Sequence, residues 1–288
     1  MMPHPDLPSP EDLIRDISGL VTLPDVYLRI NRLIEDPNSS SADIAKAISQ
    51  DASFTVKLLK LANSAVYNFS SRVDTVAKAV TIIGTSQIRS LALSLSVASS
   101  FQGLPNDLVS MRNFWKHSLL CGLAARHLCK RARRCDADAL FTAGLLHDIG
   151  ELIIFNRLPE QAKQALLRVL ESQEEVGIPD AEQEMLGYDH SQVGGVLARQ
   201  WHLPSVLQEC IAWHHQPARA EQHPREVALV HIANSLAQMA EVDSLALDDA
   251  PAIDPDAWAC TGLDPEVVED VIRATQAEFE EIEQLFLG

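Results

Sequence analysis

The stretch Ala143-Gly144-Leu145-Leu146-His147-Asp148-Ile149-Gly150-Glu151 decides the fold and the chemistry that this sequence predicts. Its small residues and leucines indicate a buried helix, and the pair His147–Asp148 follows directly at the end of that helix. Polar ligands at the inner end of an apolar helix lose hydration, so they need a metal ion, hydrogen bonds or both. The pair therefore predicts a metal or polar site inside a helical protein.

Five further side chains that could join this pair are spread along the chain. Each lies on a predicted helix or near a helix end, and they are His117, His190, His214, His215 and Asn234. Imidazole suits iron, zinc or manganese, and a carboxylate next to a histidine can bridge two ions. Helices can bring such residues together across long sequence separations. Any one of these histidines alone is more typical of a packed or surface residue, but the ordered set favours bound metal, with one or two ions.

The composition is typical of a soluble helical protein. The chain has 288 residues, of which 47% are hydrophobic and only 5% aromatic, and no segment has the pattern of a strand. No apolar run reaches the roughly 18 to 20 residues that span a bilayer. Residues 1–10 are polar and proline-rich rather than signal-like. We therefore expect an all-α cytoplasmic protein that does not bind a membrane.

The negative charge is concentrated near the C-terminus. Of a formal net charge of −17, residues 241–288 contribute 14 acidic residues and one basic residue, or −13, which leaves −4 for the rest. Without a broad basic surface, nucleic acid is not an expected partner. One basic cluster, at the end of a predicted helix, is either a solvated helix end or a docking patch for an acidic partner; it comprises Arg126, Lys130, Arg131, Arg133 and Arg134.

The cysteines do not indicate a disulfide framework or a thiolate zinc site. Their number is odd and no pair has C-x-x-C spacing; they are Cys121, Cys129, Cys135, Cys210 and Cys260. We expect them to be reduced. Cys121, one turn after His117, is a possible ligand or a small buried apolar residue.

Helical periodicity and turn residues divide the chain into three parts. The turn Gly103-Leu104-Pro105-Asn106 predicts a boundary, which gives an N-terminal helical subdomain at 1–104, a second helical domain at 105–242 and an acidic C-terminal extension with a terminal helix at 243–288. Expected helices cover about 24–34, 53–63, 73–83, 86–101, 107–133, 138–146, 151–156, 159–175, 190–201, 204–215, 224–240 and 265–285, and a capping box at Ser40 and Asp43 begins another.

Several motifs in the N-terminal part resemble the HDOD family. They are Leu23-Pro24, Ile48-Ser49-Gln50-Asp51, the run from Leu58 to Ala65, and Ala79-Val80 with Ile83-Gly84. The run from Leu58 to Ala65 is the most specific. The resemblance implies a bundle of about five helices followed by a degenerate HD-type (phosphodiesterase-like) helical domain.

The ordered histidines and Asp148 resemble the ligand series of HD phosphohydrolases, most closely the HD-GYP subgroup. That resemblance implies one metal position made by His117, His147 and Asp148, and a second made by Asp148, His190, His214 and His215. The sequence departs from the pattern at three places. Asn234 replaces an aspartate, Glu151 stands where these hydrolases often carry lysine, and no Gly-Tyr-Pro segment follows His215.

Two functions follow from this resemblance. The first is a regulatory protein of bacterial signal transduction that acts by binding a protein partner, with a partly retained metal site and little or no catalysis. Relatives of this kind are often joined to receiver domains, and with none in this chain we expect the input to come from another chain. The second is a metal-dependent phosphohydrolase of a nucleotide or cyclic dinucleotide, in which Asp148 would be the catalytic residue.

Overall fold

The computed structural model describes residues 7–15, 23–64, 67, 72–101, 108–132, 135–172, 176–246, 251 and 253–287, and every regular element in these ranges is helical. The expectation of an all-α fold is thus confirmed. The predicted boundary turn at 103–106, together with Ala65, Arg133 and Arg134, lies outside the described residues. The division into three parts therefore stays a prediction.

The N-terminal bundle consists of five helices preceded by a short one. Their bounds are α1 Pro10–Arg15, α2 Asp25–Glu35, α3 Ser41–Ser49, α4 Ala52–Ala62, α5 Val76–Ile83 and α6 Thr85–Phe101. Side-chain caps fix three helix starts, since Ser40 and Asp43 form the predicted capping box of α3, and Asp51 and Thr75 cap α4 and α5. These caps bond first-turn N–H groups that would otherwise lack partners.

The second half is arranged around the long helix α7. Helices α8, α14 and α16 pack against it, α12 packs against α9 and α13, and α13 packs against α8. The bounds are α7 Met111–Ala132, α8 Ala137–Leu146, α9 Ile149–Arg157, α10 Pro159–Glu171, α11 Ile178–Leu186, α12 His190–Gln200, α13 Ser205–Trp213, α14 Pro224–Glu241, α15 Pro255–Thr261 and α16 Val268–Leu287.

One hydrophobic core extends through both halves. Buried side chains of α2 to α6 and of α7 to α16 belong to the same cluster. Helices α6 and α8 pack together, and the hydroxyls of Ser94 and Thr142 lie 3.3 Å apart at that contact. The acidic C-terminal segment packs back on this core, because Ile282 and Phe286 of α16 are buried.

Two expectations about α7 are wrong. The cysteines are not all reduced, because Cys129 and Cys135 form a disulfide, with Cα atoms 5.9 Å apart. The reversal of the chain after α7 brings these two residues together although their spacing has no motif. Arg126 is not part of a solvated helix end: it is 5% exposed, and its guanidinium lies over the Tyr67 ring and 3.8 Å from Asp138.

No single helix among the described residues is long and apolar enough to cross a membrane. By length and composition alone, the helices at 76–83 and 85–98 together would be long and apolar enough, but a bend of 118° separates them.

Candidate metal centre

Asp148 occupies the break between α8 and α9. His147 is the C-cap of α8, and Asp148 is the N-cap of α9, but its side chain does not bond to the first turn of that helix. The aspartates that begin α4, α8 and α12 all bond to such N–H groups. The Asp148 carboxylate is therefore free to face the imidazoles of neighbouring helices.

Four imidazoles surround this carboxylate. Asp148 Oδ2 lies 2.9 Å from Nε2 of His147 and 3.6 Å from Nε2 of His117. Asp148 Oδ1 lies 3.3 Å from Nε2 of His190 and 3.4 Å from Nε2 of His214. Helices α7, α8, α12 and α13 supply these histidines, so residues up to 97 positions apart meet at one carboxylate.

His215 and Asn234 complete the predicted set. His215 Nε2 lies 2.9 Å from Nε2 of His190, and Asn234 Oδ1 lies 2.9 Å from Nε2 of His117. The ligand atoms of the predicted histidines and Asp148 fall into two groups, each within 4.8 Å: one of His117, His147 and Asp148, the other of Asp148, His190, His214 and His215. Glu151, Glu182 and His190 form a third group of the same kind. The structure thus brings all seven residues together, while their role as metal ligands stays a prediction.

The far side of three rings determines which nitrogen faces the centre. Nδ1 of His147 lies 2.7 Å from the carbonyl oxygen of Gly144, and Nδ1 of His214 lies 3.0 Å from that of Ile211. Nδ1 of His190 lies 2.7 Å from Oε2 of Glu182. Each Nδ1–H can therefore donate outward, which leaves the Nε2 lone pair directed inward. Metal-binding histidines in proteins are oriented in this way.

The inward-facing atoms fit a bound cation. Nε2 of His147, Nε2 of His214 and Oδ1 of Asp148 are buried and form no hydrogen bond to the described residues. With Nδ1–H donating outward, the 2.9 Å contact of His147 with Asp148 places a lone pair against a carboxylate. Such a contact is repulsive unless a proton or a metal ion neutralises it. The donor set of imidazoles and one carboxylate suits iron, zinc or manganese.

The pKa values reflect the same crowding. Burial lowers the pKa of His147 and His190, but the carboxylates Asp148 and Glu182 outweigh burial and raise it, to about 10 for His147. For His214 burial prevails and lowers the pKa to about 4. Burial alone would raise the pKa of Asp148, but the nearby His147 keeps the pKa of Asp148 well below its usual range. The cluster thus favours a carboxylate with compensating positive charge beside it.

Two acidic side chains, Glu182 and Glu151, lie on the outer side of His190. Glu182 is 2% exposed and accepts hydrogen bonds from the backbone N–H and Nδ1 of His190. Glu151 Oε1 lies 3.9 Å from the same Nδ1. Burial and the nearby Asp148 raise the pKa of Glu151 to about 8. Glu182 was not predicted from the sequence, although an acidic residue four positions before Leu186, on an apolar helix face, is a signal of burial with a partner.

Close backbone contact holds α9 against α12. A Cβ atom on Gly150 would lie 1.9 Å from the carbonyl oxygen of His190 and 2.7 Å from the backbone nitrogen of Gly194. Only glycine permits this approach. The contact sets the distance between Asp148, just before α9, and His190 at the start of α12.

His231, Trp115 and Cys121 lie outside the predicted set and have structural contacts. Nδ1 of His231 lies 2.7 Å from the His214 carbonyl oxygen, and its Nε2 accepts a hydrogen bond from the Asp254 backbone. Trp115 is 2% exposed, as expected for a packing residue. Cys121 is buried and contacts His147, which agrees with a small packed side chain.

Comparisons with known proteins agree with the sequence motifs. An uncharacterized protein of Treponema pallidum (strain Nichols) is 30% identical over 223 residues, which is 76% of this chain and 42% of that protein. The chain therefore spans less than half the length of this relative.

Three solved structures have the same fold. The first is an HDOD domain protein from Geobacter sulfurreducens (TM-score 0.73, 23% identity, 96% of each chain). The second, from Shewanella amazonensis SB2B, is named "Putative phosphohydrolase" (TM-score 0.76, 23% identity, 96% of this chain and 98% of that one). The third, from Marinobacter aquaeolei VT8, is named "Putative signal transduction protein" (TM-score 0.70, 22% identity, 96% and 64%). The HDOD domain family model matches residues 20–217, so the chain belongs to the HDOD family.

Proposed function

We propose that this chain is a bacterial regulatory protein that acts by binding a protein partner and keeps an HD-type metal centre with little or no hydrolytic activity. The observation that carries the proposal is the pair of carboxylates, Glu151 and Glu182, placed around His190 beside an otherwise complete set of ligands.

These carboxylates disfavour a phosphate substrate. Hydrolases of phosphate esters use cations to stabilise the charge of the substrate and of its transition state. Glu151 stands where HD hydrolases often carry lysine, and in either protonation state it supplies no cation. Glu182 supplies a carboxylate to His190. The centre therefore has ligands for a metal, but neither Glu151 nor Glu182 would hold a phosphate group.

The ligand position made by Asp148, His190, His214 and His215 is the stronger of the two. In the other position, Asn234 offers only a neutral carbonyl oxygen, which already lies at hydrogen-bonding distance from His117 Nε2. A bound iron, zinc or manganese ion would supply positive charge that neutralises Asp148 and joins the ends of α8, α12 and α13. We therefore propose that the metal mainly stabilises the arrangement of these helices.

The protein partner is supported by similarity and by surface character. A relative with the same fold is named "Putative signal transduction protein". On α10, Leu167 and Leu170 are 41% and 80% exposed, and exposed apolar side chains of this size occur at protein contacts. If α10 contacts the partner, a photo-crosslinking residue at 170 should capture it, and the same residue at exposed Glu280 of α16 should capture less.

A metal-dependent phosphohydrolase of a nucleotide or cyclic dinucleotide is the second candidate. The observation that favours it is that both ligand groups share Asp148, as expected where one carboxylate bridges two ions. In that case Asp148 would hold and orient the attacking water.

Metal content tests the centre directly. Protein from which any metal-binding tag has been removed should contain about one to two iron, zinc or manganese ions per chain by elemental analysis. His147→Ala should lose them, while His202→Asn, a change at an exposed histidine outside the cluster, should keep them. A wild-type protein free of metal would contradict the proposed centre.

An activity assay separates the two candidates. With manganese or iron added, we expect no turnover of bis(p-nitrophenyl) phosphate or of cyclic dinucleotides. Turnover by the wild type that Asp148→Asn lacks would establish the hydrolase and overturn the non-catalytic proposal. Metal content measured on the same samples shows whether an inactive protein contained bound metal.

A further inference from the structure

A cavity of about 330 Å³ lies between the N-terminal bundle and the second half of the chain. Its walls come from α2 and α6 on one side and from α8, α13 and α14 on the other, with apolar surface from Leu93, Leu140 and Leu207. A volume of roughly 300 Å³ or more is the size at which proteins bind small molecules. The cavity is therefore large enough for an organic ligand.

This cavity is separate from the candidate metal centre. It opens at the N-terminal ends of α8, α13 and α14, whereas His147 and His214 follow the C-terminal ends of α8 and α13. Leu140 and Leu207 each precede those histidines by seven residues. At 1.5 Å per helical residue, the two sites are roughly 10 Å apart along each helix.

Three polar side chains in the cavity form no hydrogen bond or ion pair with any described residue. They are Tyr27, Arg89 and Glu226. Tyr27 is 4% exposed, and burial raises the pKa of its hydroxyl, so this hydroxyl stays protonated. A buried hydroxyl normally has a partner in a folded protein, and the charges of Arg89 and Glu226, which are only partly buried, are accessible to a ligand. Their lack of partners at a cavity wall indicates groups that await a ligand.

Helix ends add positive potential to the same cavity. Helices α13 and α14 begin there, after Pro204 and His223, without a side-chain cap. Free N–H groups of a first turn and the helix dipole favour an anionic group. Asp136, also in the wall, already bonds to the first turn of α8. Arg89 is thus the natural partner of an anion, and Glu226 of a donor.

We propose that this cavity binds a small dipolar organic ligand, whose anionic group contacts Arg89 and whose N–H or amine group contacts Glu226, with an apolar body between them. The leucine walls would contact that body, and the Tyr27 hydroxyl would donate to the ligand. Because the ligand would contact both halves of the chain, it would also join them. The proposal does not depend on the metal centre or on the function proposed above.

The probe is 2-anilinonaphthalene-6-sulfonate, in which the naphthalene ring system separates a sulfonate at one end from an N–H group at the other. We expect its fluorescence to titrate as one saturable site per chain. Arg89→Gln should weaken binding about tenfold, as expected for a hydrogen bond to a charged group. Ala139→Phe, which places a ring in the cavity, should abolish binding. Arg32→Gln, a change on the exposed face of α2, should leave the affinity unchanged.

Circular dichroism melting of each variant tests whether unfolding is the cause of a lost signal. Tyr27→Phe removes only the hydroxyl and provides a second variant that retains the core. We expect Tyr27→Phe to weaken binding about threefold. Binding that is absent in the wild type, that does not saturate, or that is equal in Arg89→Gln and Arg32→Gln would overturn the proposal. Chelation of metal should not change the titration, which keeps this test separate from that of the metal centre.

Discussion

The tautomers of the central histidines depend on acceptors outside the ligand set. The sequence was sufficient to predict the seven residues that the structure brings together, because the His147–Asp148 pair and the resemblance to HD phosphohydrolases guided the choice, while their role as metal ligands stays a prediction. It was not sufficient to find Glu182, which acts on the far side of His190. That contact depends on the angle between α11 and α12, which no local pattern encodes.

Removal of Glu182 should weaken metal binding without removing a ligand. Because this carboxylate fixes the His190 ring, we expect Glu182→Ala to lower metal affinity about 10- to 100-fold, measured by competition with a chromogenic chelator. Glu184→Ala is the matched control, since Glu184 lies on the same helix but pairs with Arg168 at the surface. Equal affinity in both variants would contradict a positioning role for Glu182.

A single methyl group at Gly150 should disturb the whole centre. Gly150→Ala must push α9 away from α12, because its Cβ would overlap the His190 carbonyl. We expect a loss of roughly 3 kcal/mol or more in unfolding free energy, measured by urea denaturation. At Gly177 the nearest atoms to an added Cβ lie at 3.4 Å, so Gly177→Ala should cost about 1 kcal/mol or less. A Gly150→Ala protein as stable as the wild type would show that the two helices can separate.

At the scale of elements, most helices were predicted, and three short ones were missed. Helices α2, α4 and α14 lie within one or two residues of their predicted bounds. Helices α1, α11 and α15 were not predicted. They have nine residues or fewer and begin near prolines in polar stretches, where local sequence resembles a loop. Packing against larger helices determines whether such segments become helical.

The attachment of α16 to α7 gives a prediction with a defined pH dependence. Glu278 lies 3.3 Å from His127 and 3.9 Å from Arg126. Burial alone would raise its pKa, but the His127 hydrogen bond and the charges of His127 and Arg126 prevail, so the pKa of Glu278 is below its ordinary value of 4.5. A carboxylate with a lowered pKa stabilises the fold above its unfolded pKa, and this stability is lost as the pH falls through the folded value.

We therefore expect Glu278→Gln to lower the unfolding free energy by roughly 1 to 2 kcal/mol at pH 7, because it removes one of the two carboxylates beside buried Arg126 and leaves Asp138 as the other. The difference from wild type should shrink as the pH falls below about 4.5. Glu280→Gln, at an exposed position of α16, is the control and should change little. A Glu278→Gln effect that is constant down to pH 3 would show that the charge of Glu278 does not contribute.

At the scale of the whole molecule, a bound metal would stabilise the fold, because its ligands come from α7, α8, α12 and α13. At a free metal concentration of 100 times Kd, the gain is about 2.7 kcal/mol, and this should raise the melting temperature by several degrees. We expect EDTA to lower the melting temperature of the wild type and to leave that of Asp148→Asn unchanged, measured by scanning calorimetry. An equal response of both proteins would show that EDTA acts elsewhere.

The shared core between α6 and α8 also limits how this chain can be recombined. Side chains from both halves interdigitate there, and the Ser94 and Thr142 hydroxyls face each other across the contact. A chimera that takes its first hundred residues from a relative of about 23% identity would combine two surfaces that did not evolve together. Such a chimera should be poorly packed unless both faces are exchanged. The two halves of the chain should therefore be exchanged together.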